Sequence, residues 1–167
     1  LNMSAGQTCW IKLGRASGAT GTGTLEIDFA PPPIPGDDCS NRVVLPDGPQ
    51  AFPIDNTLAT PSGFPMSCGG PDSPMDLWYE WSPNLDGDVW TFSTCDMAAF
   101  DTRMAIYSGC FGFEIGCNDD APNCTGFTSE LTFSGFDQST SYFIQLAGFN
   151  QALGSATFEI SNAGQQV

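Results

Sequence analysis

The chain has 167 residues, 41 % of them apolar, with 19 acids against four bases, no histidine and a net charge of −15. A surface this acidic repels nucleic acid and anionic membrane, and it suits divalent cations. Without histidine, the usual base for a serine or cysteine nucleophile is missing, so the chain reads as no enzyme. Nineteen acids always leave some pair close together, so a glycosidase-type carboxylate pair carries little weight.

Nineteen glycines and 13 prolines break the chain into short runs, none with convincing helical period and none near the roughly 20 apolar residues of a membrane span. Seven cysteines point to an oxidising, extracellular setting, and the lack of CxxC pairs argues against zinc. The start at Leu1, without a leader, reads as that of a processed chain.

The first segment repeats the last. Residues 8–27 (TCWIKLGRASGATGTGTLEI) align without a gap on 141–160 (SYFIQLAGFNQALGSATFEI), at an offset of 133 residues. The matches include Ile11/Ile144, Leu13/Leu146, Gly21/Gly154, Glu26/Glu159 and Ile27/Ile160. Two alternating runs around a glycine turn predict an N-terminal β-hairpin over 1–29, with strands near 8–14 and 22–29. A lone hairpin is marginal in water, so Trp10, Ile11, Leu13, Leu25, Ile27 and Phe29 are expected to dock onto a sheet elsewhere. Cys9, whose counterpart is Tyr142, is either a buried free thiol or a crosslink to another chain. The tract Ala30-Pro31-Pro32-Pro33-Ile34-Pro35-Gly36 is a stiff linker over 30–36.

The body is expected over 37–163, with a short tail at 164–167. Predicted strands are Arg42–Leu45, Gln50–Asp55, Leu77–Trp81, Asp88–Thr94, Met104–Ser108, Glu130–Phe133, Ser141–Gly148 and Ala156–Ser161. Their spacing suits an all-β, jelly-roll-like antiparallel sandwich. Trp78 and Trp90 read as core; Trp81 reads as core or as a stacking platform for sugar. Asn84–Asp88 (NLDGD) reads as a hairpin turn, since the twelfth-position Glu of a calcium loop is absent. Of the 15 ways to pair the six body cysteines, we favour Cys110–Cys117, whose spacing would close a small hairpin loop, with Cys39–Cys68 and Cys95–Cys124.

The ordered set DDC (37–39), SCGG (67–70), DLWYEW (76–81), STC (93–95), FDTRMAIYSGC (100–110), CNDD (117–120), SYFIQLAGF (141–149) and GSATFEIS (154–161) resembles the secreted bacterial pre-peptidase C-terminal (PPC-like) modules. That resemblance implies a non-catalytic sandwich used as spacer, adhesive or binding unit, calcium-bound in some members. Asn118-Asp119-Asp120 is a dense oxygen cluster, and Asp101 could face it from the start of a neighbouring strand, giving a candidate calcium site with Asp37 and Asp38 near it. Asn2-Met3-Ser4 and Asn123-Cys124-Thr125 are glycosylation sequons, at Asn2 and Asn123.

Two functions are expected. One is a secreted subunit of a cell-surface filament, a homopolymer joined head-to-tail by N-terminal strand exchange with other copies of the chain. The other is an adhesive, glycan- or protein-binding module of a larger tandem-repeat protein.

Overall fold

The computed structural model describes residues 10–11, 21–25, 33–70, 74–85 and 88–163. The chain divides into two units, Leu1–Pro31 and Pro32–Val167. In the first, the described residues belong to no helix or strand. Asn2, Cys9, Leu13, Ile27 and Phe29 lie outside the described residues. Trp10, Ile11 and Leu25 are 92 %, 54 % and 50 % exposed.

The second unit is a β-sandwich. Its strands are β1 (Val43–Val44), β2 (Gln50–Asp55), β3 (Asp76–Trp81), β4 (Trp90–Ser93), β5 (Thr102–Tyr107), β6 (Glu114–Asn118), β7 (Glu130–Phe133), β8 (Tyr142–Gly148) and β9 (Ser155–Asn162). One sheet runs β1-β3-β8-β5-β6 and the other β2-β9-β4-β7. Every pairing is antiparallel except β1 with β3. The expected all-β sandwich is therefore present, with one strand more than its sequence announced. That strand is β6, in which Ile115 is the one aliphatic side chain larger than glycine and points outward.

Alternate residues of both sheets fill the space between them. Leu77, Tyr79, Trp81, Met104, Ile106, Ile144 and Leu146 face Trp90, Phe92, Leu131, Phe158 and Ile160. The Trp81 ring sits edge-on to Trp90 and Phe92, with centroids 4.9 and 5.1 Å away. Trp81 is 1 % exposed, which removes the stacking-platform alternative.

A second, smaller core explains why Leu77–Trp81 alternates only partly. On the outer face of the five-stranded sheet, Trp78, Ala105, Tyr107 and Ala147 are covered by Met66, Cys39 and the half-buried Phe64. Both faces of β3 are thus buried, and both must be apolar or satisfied.

Two of the three disulfides lace that cover down. The three join Cys39–Cys110, Cys68–Cys117 and Cys95–Cys124, with Cα separations of 5.8, 5.7 and 5.1 Å. Cys95–Cys124 follows the sequence reading; Cys39–Cys68 and Cys110–Cys117 are corrected. The reason is the β5–β6 hairpin. Cys110 lies in its loop, closed by the Ser108 N–H on the Phe113 carbonyl at 3.0 Å. Cys117 lies three residues beyond Glu114, about 10 Å along the strand and past the ~7 Å reach of a disulfide. Each instead meets the segment crossing the outer face. Replacing Cys95 and Cys124 by serine, which opens a loop of 29 residues in sequence, is expected to cost about 3 to 4 kcal/mol, read as a drop in the denaturant midpoint.

The 82–89 connection does not close a hairpin, because β3 and β4 belong to different sheets. The same holds for the C-terminal copy of the repeat: β8 and β9 do not pair with each other but cross from one sheet to the other.

Candidate functional site

At one end of the sandwich the residue before β5 meets the loop after β6. Antiparallel register sets Met104 opposite Asn118, so the chain beyond Asn118 runs back past Arg103, Thr102 and Asp101. The carboxylates of Asp101, Asp119 and Asp120 consequently come together, with one oxygen from each lying within 4.8 Å of the others. The expected group thus assembles in three of its four members. Asn118 turns aside: its Oδ1 accepts the Glu130 N–H at 3.0 Å, and its Nδ2 donates to the Asp120 carbonyl at 3.4 Å. Asp37 and Asp38 act elsewhere. Asp37 accepts from the Thr60 N–H and hydroxyl, and Asp38 caps the 3-10 turn Cys39–Asn41.

Buried hydroxyls fix this loop. The Thr94 and Thr102 hydroxyls lie 2.7 Å apart, and both accept the Ser129 N–H, at 3.1 and 3.0 Å. The Ser129 hydroxyl contacts the carbonyls of Thr102 and Asp119, the latter at 2.8 Å. Cys95–Cys124 and the Thr125 N–H and hydroxyl on Asp96, both at 2.6 Å, hold the far side. The donors pull the Asp96 pKa below the usual carboxylate value. Asn123, the acceptor of the second sequon, is exposed on this loop.

The trio concentrates negative charge at one place. Asp101 Oδ1 is buried and meets no hydrogen-bond donor among the described residues. Burial pushes its pKa up to about 6, and the charges of Asp119 and Asp120 add to the rise, opposed by Arg103. Arg103 is fully buried on β5, donates to the Cys68 carbonyl at 3.4 Å, and lies 6.0 Å from the Phe149 ring centroid.

Two phenylalanines that the sequence did not single out flank the trio. The Phe127 carbonyl accepts the Thr102 N–H at 3.1 Å, and the Phe149 N–H donates to the Asp101 carbonyl at 3.1 Å. The two residues are 65 % and 39 % exposed. Phe149 opens a tight turn after β8. A Cβ at Gly148 would strike the Ala152 carbonyl oxygen, so glycine is required there by close backbone approach.

Residues 35–160 match the model of a T9SS-associated family described as galactose binding domain-like. The chain belongs to that family. The match is to a secreted β-sandwich module, which agrees with the expected resemblance at the level of a secreted β-sandwich family but not with the PPC-like family itself. No curated protein matches the chain. The family and the three disulfides mark it as an extracellular module. No helix among the described residues is long and apolar enough to cross a membrane.

Proposed function

We propose that this galactose binding domain-like chain is a non-catalytic, extracellular binding module in which Asp101, Asp119 and Asp120 hold a calcium ion beside a carbohydrate site walled by Phe127 and Phe149. The observation that carries the reading is Asp101 Oδ1, buried without a donor among the described residues and facing two more carboxylates. A hard cation wants six to eight oxygens, and three carboxylates with neighbouring carbonyls supply much of that shell. Open positions would go to water or to sugar hydroxyls, and the phenylalanine faces offer the apolar wall such sites use. Galactose as ligand is suggested by the family's name, and the resemblance to PPC-like modules, some of them calcium-bound, points the same way. An N-glycan at Asn123 would stand on the same loop.

Thermal melts with calcium and with magnesium, followed by retention on immobilised galactosides with and without chelator, test this. Calcium is expected to raise the melting temperature more than magnesium does, because magnesium demands tighter octahedral geometry. A melt indifferent to millimolar calcium removes the reading.

The pH dependence has a definite sign. Asp101 is shifted upward from 3.8 to about 6. Between those values the cation-free fold holds a proton that the unfolded chain releases, so its stability grows as the pH falls from about 7 towards 4. Calcium needs the ionised carboxylate. The calcium-induced rise in melting temperature is therefore expected to shrink over the same range, largest at pH 7.5 and smallest near pH 5.

A second reading is the homopolymeric surface filament joined through N-terminal strands. The exposure of Trp10, Ile11 and Leu25 favours it. Against it, the strands that the N-terminal segment copies occupy interior positions of both sheets, not edges. Deleting residues 1–35 separates the readings: polymers that persist after the deletion discard strand exchange.

A further inference from the structure

Residues 9–15 and 22–29 align with β8 and β9 at the 133-residue offset. In the body, β8 lies between β3 and β5, and β9 lies between β2 and β4. The repeated unit is therefore two central strands, one for each sheet. Its backbone hydrogen bonds require four flanking strands, which neither an open edge nor a partner hairpin supplies.

The N-terminal copy keeps the core residues of this pair. Ile11 and Leu13 stand for Ile144 and Leu146, which are 0 % and 2 % exposed; Leu25 and Ile27 stand for Phe158 and Ile160, both 0 % exposed. In this chain Ile11 and Leu25 are half exposed. The turn glycine is kept as well: Gly21 matches Gly154, where a Cβ would come within 2.7 Å of the Phe100 ring. Arg15 stands at the position of Gly148, so the aligned sequences depart from each other there.

We propose that residues 9–29 supply the two central strands of a second sandwich of this fold, whose other strands lie one 133-residue period earlier in the same polypeptide. Another copy of the body is a poor partner. Both interior positions there are filled by 142–162, which would have to be torn out to admit the newcomer. A preceding segment equivalent to β1–β7 would leave those positions empty and would be tethered beside them. This inference is independent of the cation reading, since none of its residues belongs to the acidic trio.

Hydrogen exchange by mass spectrometry tests it on the 167-residue chain and on a chain extended N-terminally by the next 133 residues of its parent gene. In the short chain the amides of 9–15 and 22–29 are expected to exchange at the unstructured rate at every protein concentration. In the extended chain they are expected to slow at least 100-fold, like those of β8 and β9. Protection in the short chain overturns the proposal: protection independent of concentration means folding onto its own body, and protection that grows with concentration and mass means exchange between copies. Amides that stay fast in the extended chain overturn it too. As a second readout, Leu25→Asp is expected to abolish one of the two unfolding transitions of the extended chain and leave the other in place; an unchanged pair of transitions counts against the proposal.

Discussion

Replacing Asp76 by alanine is expected to lower the melting temperature by about 10 to 15 °C, the largest effect of any single polar substitution in the body. Asp76 is fully buried at the start of β3. Its carboxylate accepts the Ser62 N–H and hydroxyl at 2.9 and 2.5 Å, the Trp78 indole N–H at 2.7 Å and the Gln145 amide at 2.7 Å. Gln145 in turn accepts the Tyr107 hydroxyl at 2.8 Å and donates to the Phe64 carbonyl at 2.9 Å. One side chain thus ties the outer cover to β3, β5 and β8. Burial pushes its pKa up, and the four donors pull it back. Alanine leaves the indole, the amide and the Ser62 donors unpaired beneath the cover, each costing about 1 to 3 kcal/mol, and leaves a cavity besides. A total of about 4 to 5 kcal/mol, at roughly 3 °C per kcal/mol for a domain of this size, gives the stated shift. Asp76→Asn keeps the shape but points an amide N–H at donors, so it is expected to fall between wild type and alanine. Scanning calorimetry of both variants checks the order; an alanine variant within 3 °C of wild type would mean that the network is idle.

What could be read from sequence divides along local and long-range lines. β2 and β7 have the bounds expected, because alternation and flanking turn residues are local signals. β6 was not legible, since Glu114–Asn118 is poor in apolar residues and borrows its place from β5. Two of the three disulfide pairings failed for a related reason: Cys39 and Cys68 meet the β5–β6 hairpin only because the intervening chain folds over the outer face. The same fold-back hid Asp76, whose spacing to Ser62 and Gln145 carries no motif. Asp119 and Asp120 announce themselves as neighbours in sequence, and Asp101 joins them once β5 pairs with β6 in the observed register. Phe127 and Phe149 could not be found beforehand. Each reaches the site through a backbone hydrogen bond to the start of β5, which leaves no mark on residue type. The repeat was visible, but the placement of its two strands in the fold was not. Two alternating runs around a glycine read as a hairpin, and only the topology reveals that their described copies belong to opposite sheets.

Asp101→Asn should move stability in two opposite directions, and that opposition separates a cation ligand from a structural residue. Without cation, the carboxylate is held in a partly buried place against the charges of Asp119 and Asp120, which is why its pKa rises to about 6. The amide keeps the shape and removes one like charge, so at pH 7.5 the cation-free melting temperature is expected to rise by a few degrees. With calcium present, the variant lacks one of three carboxylates. Ligand charge count sets calcium affinity, so binding is expected to weaken at least about tenfold and the calcium-induced rise to vanish at millimolar concentrations. The variant should also lose the pH dependence between about 4 and 6 that Asp101 confers. Asp137→Asn serves as control: that carboxylate accepts from the Ser139 N–H and hydroxyl at 2.8 and 2.6 Å, outside the trio, so its loss should leave the calcium response unchanged. A structural aspartate behaves otherwise, because its removal lowers the cation-free melting temperature and spares the calcium response. Calorimetric titration of calcium beside thermal melts decides between the two, and a cation-free Asp101→Asn protein less stable than wild type would turn the trio from a binding site into a loop anchor.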